Sequence, residues 1–145
     1  MTVSRTDLYA FIRERKSGIV CTVSQNGEPQ AARVYIAVTP ELELIFYTLQ
    51  TNRKCVNLRR DPRIAVVIGW DSEQTLQYEG TAKELCAEEL DAAKAIYLDM
   101  LPDRSGRIGW PGLTFFRVKP TWLRFSNYDN PWRIDELTFP RAGVA

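Results

Sequence analysis

Leu44-Ile45-Phe46-Tyr47-Thr48-Leu49-Gln50-Thr51-Asn52-Arg53-Lys54 contains the change of period on which the fold turns. Leu44 to Tyr47 reads as a strand. A short helix from about Arg53 to Arg60 follows, closed by Asp61-Pro62 because the residue before a proline is pushed out of the helical region. The first turn of a helix has backbone N–H groups without intrahelical partners and the positive end of the macrodipole, so an anion placed there is stabilised twice. Arg53 and Lys54 bring charge-assisted donors to the same spot. The plainer reading is a capped surface helix with solvated cations.

Upstream, Ser4 is placed to cap a helix through about Lys16, with Leu8, Phe11 and Ile12 at helical spacing and Gly18 as its stop. The period then drops to two. Ile19 to Ser24 and Gln30 to Val38 flank Asn26-Gly27, a tight-hairpin signal in which both central residues take positive φ.

Downstream, Arg63 to Trp70 is a near-continuous apolar strand, and Thr75 to Leu85 alternates around Gly80, which predicts a bent strand with a bulge. A longer helix is expected from about Ala87 to Met100, one face made by Leu90, Ala93, Ile96, Tyr97 and Met100 and its end by Pro102-Asp103. The glycine-rich run Ser105 to Gly112 lacks the strand-to-helix setting of a nucleotide motif and reads as a mobile or ligand-covering loop. Leu113 to Val118 and Thr121 to Phe125 are strand material broken at Pro120, and Trp132 to Asp135 is a last pairing segment. Six or seven strands joined mostly by hairpins predict a mainly β (α+β) fold, a small antiparallel barrel with peripheral helices, with a sandwich as the alternative.

Composition narrows the function. The 145 residues fit one domain, 1–145, and no apolar run approaches the ~20 residues that span a bilayer. The first residues lack an apolar signal core, so a cytoplasmic location is expected. Cys21, Cys55 and Cys86 are odd in number and widely spaced, which suits reduced thiols in the core better than a disulfide or zinc framework. A net charge of +1 gives no broad attraction for nucleic acid. There is no histidine, which excludes a Ser-His-Asp triad and a His-bound metal and leaves any redox chemistry to a cofactor.

Arg33-Val34-Tyr35-Ile36, Phe46-Tyr47-Thr48 with Arg53-Lys54, Asp61-Pro62-Arg63 opening a strand that ends at Trp70, Phe116-Arg117-Val118 and Trp132-Arg133-Ile134-Asp135 stand in one order. Together they resemble the flavin-binding split-barrel family that includes pyridoxamine 5′-phosphate oxidase, over nearly the whole chain. The resemblance implies a homodimer with FMN at the subunit interface. Arg53 and Lys54 would grip the FMN phosphate, and Tyr47 and Thr48 would line the phosphate and ribityl side. Arg33, Val34, Tyr35 and Ile36 would lie along the flavin, and Gln74 or Thr75 would reach the ring from the other subunit. Tyr78 or Tyr35 would serve as the only protein acid beyond solvent.

The resemblance also implies a limit. The oxidase has a lysine where this chain has Val38, a tryptophan where Ser126 follows Phe125, and a substrate histidine that is absent here. The same cofactor on a small molecule other than pyridoxamine phosphate is the expectation. A deazaflavin reductase and a non-catalytic flavin- or haem-binding protein are the alternatives, haem being disfavoured by the lack of a histidine ligand.

Overall fold

The computed structural model describes residues 2–140. Helix α1 (Arg5–Arg15) is capped as its sequence requires: Ser4 Oγ accepts from Asp7 N at 3.0 Å, and Asp7 Oδ2 accepts from Ser4 N at 3.3 Å. Its end differs from expectation. Lys16, at φ 63°, makes the left-handed turn, and Gly18 lies inside the next strand.

Strands β1 (Ser17–Val23) and β2 (Pro29–Tyr35) form the expected antiparallel hairpin, with Thr22 opposite Gln30. Only Gly27 takes positive φ, at 82°, so the two-residue primed turn gives way to a longer loop. Ser24 O accepts from Gly27 N, and Ser24 N donates to Glu28 O, both at 2.9 Å. The predicted second strand also breaks at Ile36, and Ala37–Val38 becomes a separate β3 paired with β4 (Leu44–Leu49).

Helix α2 (Arg53–Arg60), β5 (Arg63–Ile68), β6 (Gln74–Glu84) and α3 (Ala87–Met100) follow close to their predicted bounds. Strand β7 (Leu113–Asn127) runs straight through the expected break, then pairs with β8 (Arg133–Thr138). Pro120 is tolerated because it sits opposite Gly80 at the register shift between β6 and β7, where the ladder is already interrupted. A Cβ on Gly80 would collide with the Lys119 carbonyl and approach Val118 Cγ1 to 2.9 Å, so this crossing demands a glycine.

The strands run in the order β2-β1-β5-β6-β7-β4-β3, with β8 on the free half of β7. The two ends of that order, β2 and β3, are separated in the chain by Ile36 alone, so the sheet must curl round to bring them together. Inward-facing Val20, Val34, Phe46, Val66, Leu76 and Phe116 fill the curl. A second cluster, with Ile45, Tyr97, Leu101 and Phe115, lies on the outer face beneath α3. This explains the unbroken apolar run Leu44-Ile45-Phe46, which is buried on both faces. β5 does alternate: Ala65 and Val67 stand exposed beside half-buried Ile19 and Cys21 on β1.

Not all the cysteines pack the core. Cys55 is buried, but Cys21 lies half exposed on the outer face of β1 and Cys86 is exposed at the start of α3. None of the three is disulfide-bonded. No helix among the described residues is long and apolar enough to cross a membrane.

Candidate functional site: a cationic pocket at the start of helix α2

Asn52 stands at the N-cap of α2 but does not use its side chain to cap the helix. Instead Asn52 Nδ2 donates backwards to Thr48 Oγ1 on β4 at 3.1 Å. The N–H groups of the first turn are thereby left without a side-chain acceptor at the end where the helix dipole is positive. Arg53 and Lys54 occupy that turn and, with Asn52, line a pocket of ≈ 270 Å³ against Thr22, Gln30 and Ala32 of the β1–β2 hairpin. No carboxylate lines it. Lys54 is half-buried, and burial pushes its pKa below the ordinary lysine value, opposed by its interaction with Cys55. An ammonium held away from water without a neighbouring acid suits an anionic guest.

The hairpin is held to α2 by a buried amide. Asn57 Nδ2 donates to Thr22 Oγ1 at 3.0 Å and to Gln30 Oε1 at 2.9 Å. Sequence reading missed Thr22, Gln30 and Asn57. The available signal was parity: Thr22 and Gln30 are polar at positions whose strand neighbours Val20, Ala32 and Val34 turn inward.

The other nominated residues divide between two places. Arg33 is exposed just beyond the pocket on β2, its guanidinium donating to Tyr35 Oη at 3.3 Å, while Val34 and Ile36 are buried in the barrel. Arg104, which the sequence reading passed over, lies on the Tyr35 ring with Cζ 3.4 Å from the ring centre. Thr48 faces α2 through Asn52. Tyr47, on the opposite face of β4, packs beneath α3 against Tyr97 and Phe115, with ring centres 5.3 and 5.5 Å away. Burial and the Tyr47 neighbour raise the Tyr97 pKa.

Gln74 and Thr75 are not brought to this pocket within one chain. Strand β7 spans the gap: its Thr114 pairs with Thr48 and its Ser126 with Thr75, roughly 40 Å apart along a strand rising ~3.3 Å per residue. Gln74 instead lines a cleft with Phe11 and Arg15 of α1.

Tyr78 is unsuited to the acid role. Its hydroxyl is enclosed in the barrel, donating to Leu42 O at 2.7 Å with Val118 O at 3.2 Å, and burial drives its pKa well above the ordinary value. The exposed aromatics Trp70, Trp110, Tyr128 and Trp132 lie at loops and strand ends, and Trp122 is half-buried on β7.

A curled antiparallel half-barrel with a cationic helix start beside its first hairpin defines the split-barrel class. A family model described as pyridoxamine 5′-phosphate oxidase matches residues 6–127, and the chain belongs to that family. It is 31% identical over 86 residues to the pyridoxine/pyridoxamine 5′-phosphate oxidase of Rubrobacter xylanophilus, a match covering 59% of this chain and 40% of that protein. The matched segment is thus well under half of the relative's length. Among solved structures, a heme binding protein from Mycobacterium smegmatis superposes at TM-score 0.79 with 20% identity, over 95% of this chain and 59% of that one. An F420 reductase superposes at TM-score 0.62 with 21% identity, over 79% of this chain and 93% of that one. At such identities these likenesses concern the fold alone.

Proposed function

We propose that this chain is an FMN-binding oxidoreductase acting, as a homodimer, on a small molecule other than pyridoxamine phosphate. The observation that carries this reading is the pocket at α2, where Arg53 and Lys54 meet the uncapped helix start with no acid among the lining side chains. The donor set fits a phosphate monoester: a guanidinium, an ammonium and helix N–H groups. Bound there, the flavin would supply hydride acceptance and donation.

The protein's part is to hold and orient the cofactor. With its phosphate at Arg53 and Lys54, the ring would extend along β2 past Arg33 to Tyr35, where Arg33 and Arg104 flank the phenol. Tyr35 is then the side chain left to carry a proton. Gln74 and Thr75 would serve a neighbouring copy's cofactor, and the exposed Ala65 and Val67 beside Ile19 and Cys21 give that copy an apolar sheet face to cover.

The departures from the oxidase support a different substrate. Val38 is fully buried in the barrel, where a substrate-holding lysine would have to reach out, and Ser126 is buried too. A deazaflavin is the second reading, favoured by the same seat because its side chain also bears phosphate. The haem-binding alternative has no histidine to supply an axial ligand.

The test is direct. Purified protein given FMN should turn yellow, with a visible band that bleaches on reduction by dithionite, and Arg53→Ala with Lys54→Ala should abolish tight binding. A colourless protein indifferent to FMN would overturn the reading. Binding a deazaflavin in preference to FMN would replace it with the second.

A further inference from the structure

We infer that Asn57 is a positioning residue that turns two neutral donors, the Thr22 hydroxyl and the Gln30 amide, toward the phosphate seat, so that it recognises a phosphate monoester with four side chains rather than two. The inference rests on the reading of the α2 pocket as a phosphate seat.

The argument follows the hydrogens. A side-chain amide nitrogen only donates, and Asn57 Nδ2 has its two hydrogens directed at Thr22 Oγ1 and Gln30 Oε1. Thr22 Oγ1 is therefore an acceptor in that bond, and its own hydrogen must go to another group. No acceptor for it is found among the described residues, although Thr22 is only 2% exposed. Gln30 has its carbonyl end engaged in the same way, which leaves its NH2 end free.

Thr22 and Gln30 face each other across the β1–β2 ladder, and both line the pocket with Arg53 and Lys54. Four donor-bearing side chains therefore line a space with no carboxylate among its lining residues. Hydrogen-bond directionality also explains why a buried helix position carries asparagine rather than leucine: an apolar residue would pack there but would leave the Gln30 amide and the Thr22 hydroxyl free to turn either way.

The test compares FMN with riboflavin, which has the same ring and no phosphate, by quenching of flavin fluorescence. Thr22→Val keeps the side-chain shape and removes the donor, and Gln30→Met removes the amide. Each should weaken FMN binding roughly tenfold, as expected for a lost neutral donor to a charged group, and leave riboflavin binding unchanged. Asn57→Asp should also lower FMN affinity selectively, because its carboxylate accepts from the hydroxyl and the amide and draws both donors away. Should Asn57→Asp fail to fold, the first two variants carry the test alone. Variants that keep the wild-type ratio of FMN to riboflavin affinity, or that lower both equally, overturn the inference and leave the cationic seat standing. A wild-type protein that binds riboflavin as tightly as FMN overturns the seat and the inference together.

Discussion

Asn52 Nδ2 donates to Thr48 Oγ1 at 3.1 Å across the turn between β4 and α2, and so the best capping side chain in the segment is turned away from the helix it precedes. A helix start without its cap is less stable by about 1 kcal/mol than a capped one. At this position the missing cap also leaves the Arg53 and Lys54 backbone N–H groups open to a guest, while the Cys55 N–H bonds to Asn52 O at 3.1 Å.

Asn52→Asp is accordingly expected to move two properties in opposite directions. A carboxylate at the N-cap should stabilise the free protein by roughly 0.5–1 kcal/mol, while repelling an anion from the same spot. Thermal unfolding without cofactor and FMN titration of the same sample check the pair; a rise in both would mean that the anion does not sit at the α2 start.

Lys54 is expected to behave likewise. Burial lowers its pKa, so the charged form is disfavoured by folding and the free protein gains stability as pH climbs through the lowered value toward the ordinary lysine pKa. Lys54→Met should raise the unfolding temperature of the cofactor-free protein near neutral pH and flatten that alkaline gain, at the expense of FMN affinity. Melting curves between pH 7 and pH 11 on both proteins are the check.

The Arg59–Glu84 pair predicts an acid-side dependence. Hydrogen bonds from Arg59 hold the Glu84 carboxyl down at about 2, against the opposing pull of burial and with help from the Thr114 hydroxyl. A lowered carboxylate pKa adds stability that is complete above the ordinary value near 4.5 and fades as pH falls toward about 2. Glu84→Gln should therefore lower the unfolding temperature at pH 7, and the difference from wild type should shrink steadily in melts taken between pH 4.5 and pH 2.

Gly80→Ala is expected to damage the barrel without touching the pocket. Its methyl would meet the Lys119 carbonyl, Val118 and Tyr78 at the β6–β7 crossing, an overpacking cost of about 1–3 kcal/mol or more. Chemical denaturation should register the loss. FMN affinity of the folded fraction should stay at the wild-type level, because Gly80 lies outside the α2 pocket.

Much of this architecture was legible because its signals are local. The Ser4 cap with its Asp7 partner, the period of α3 from Ala87 to Met100, the Asp61-Pro62 stop and the glycine of the bulge all act within a few residues. The errors came from long-range partners. Pro120 reads as a break because the sequence around it does not reveal that Gly80 lies opposite. The even apolar spread of Leu44 to Tyr47 does not say which residues face the barrel and which face α3, so the sequence groups Tyr47 with Thr48 although they point apart. Tyr78 reads as an available acid in a sequence that does not reveal the Leu42 and Val118 carbonyls enclosing its hydroxyl. Arg53 and Lys54, the two cations lining the α2 pocket, are neighbours in the sequence, whereas the neutral groups around them depend on a contact between α2 and a hairpin more than twenty residues upstream.

Ile36 has a consequence of its own. As the lone link between the first and last strands of the sheet order, with its N–H tied to Lys16 O at 2.9 Å, it marks the seam along which the cylinder is joined. Arg33 and Tyr35 lie beside that seam, so a molecule resting along β2 would act as a splint over it. Occupancy would then oppose opening of the sheet at its join, and amide hydrogen exchange around residues 33–38 would slow more on loading than exchange in the β6–β7 ladder.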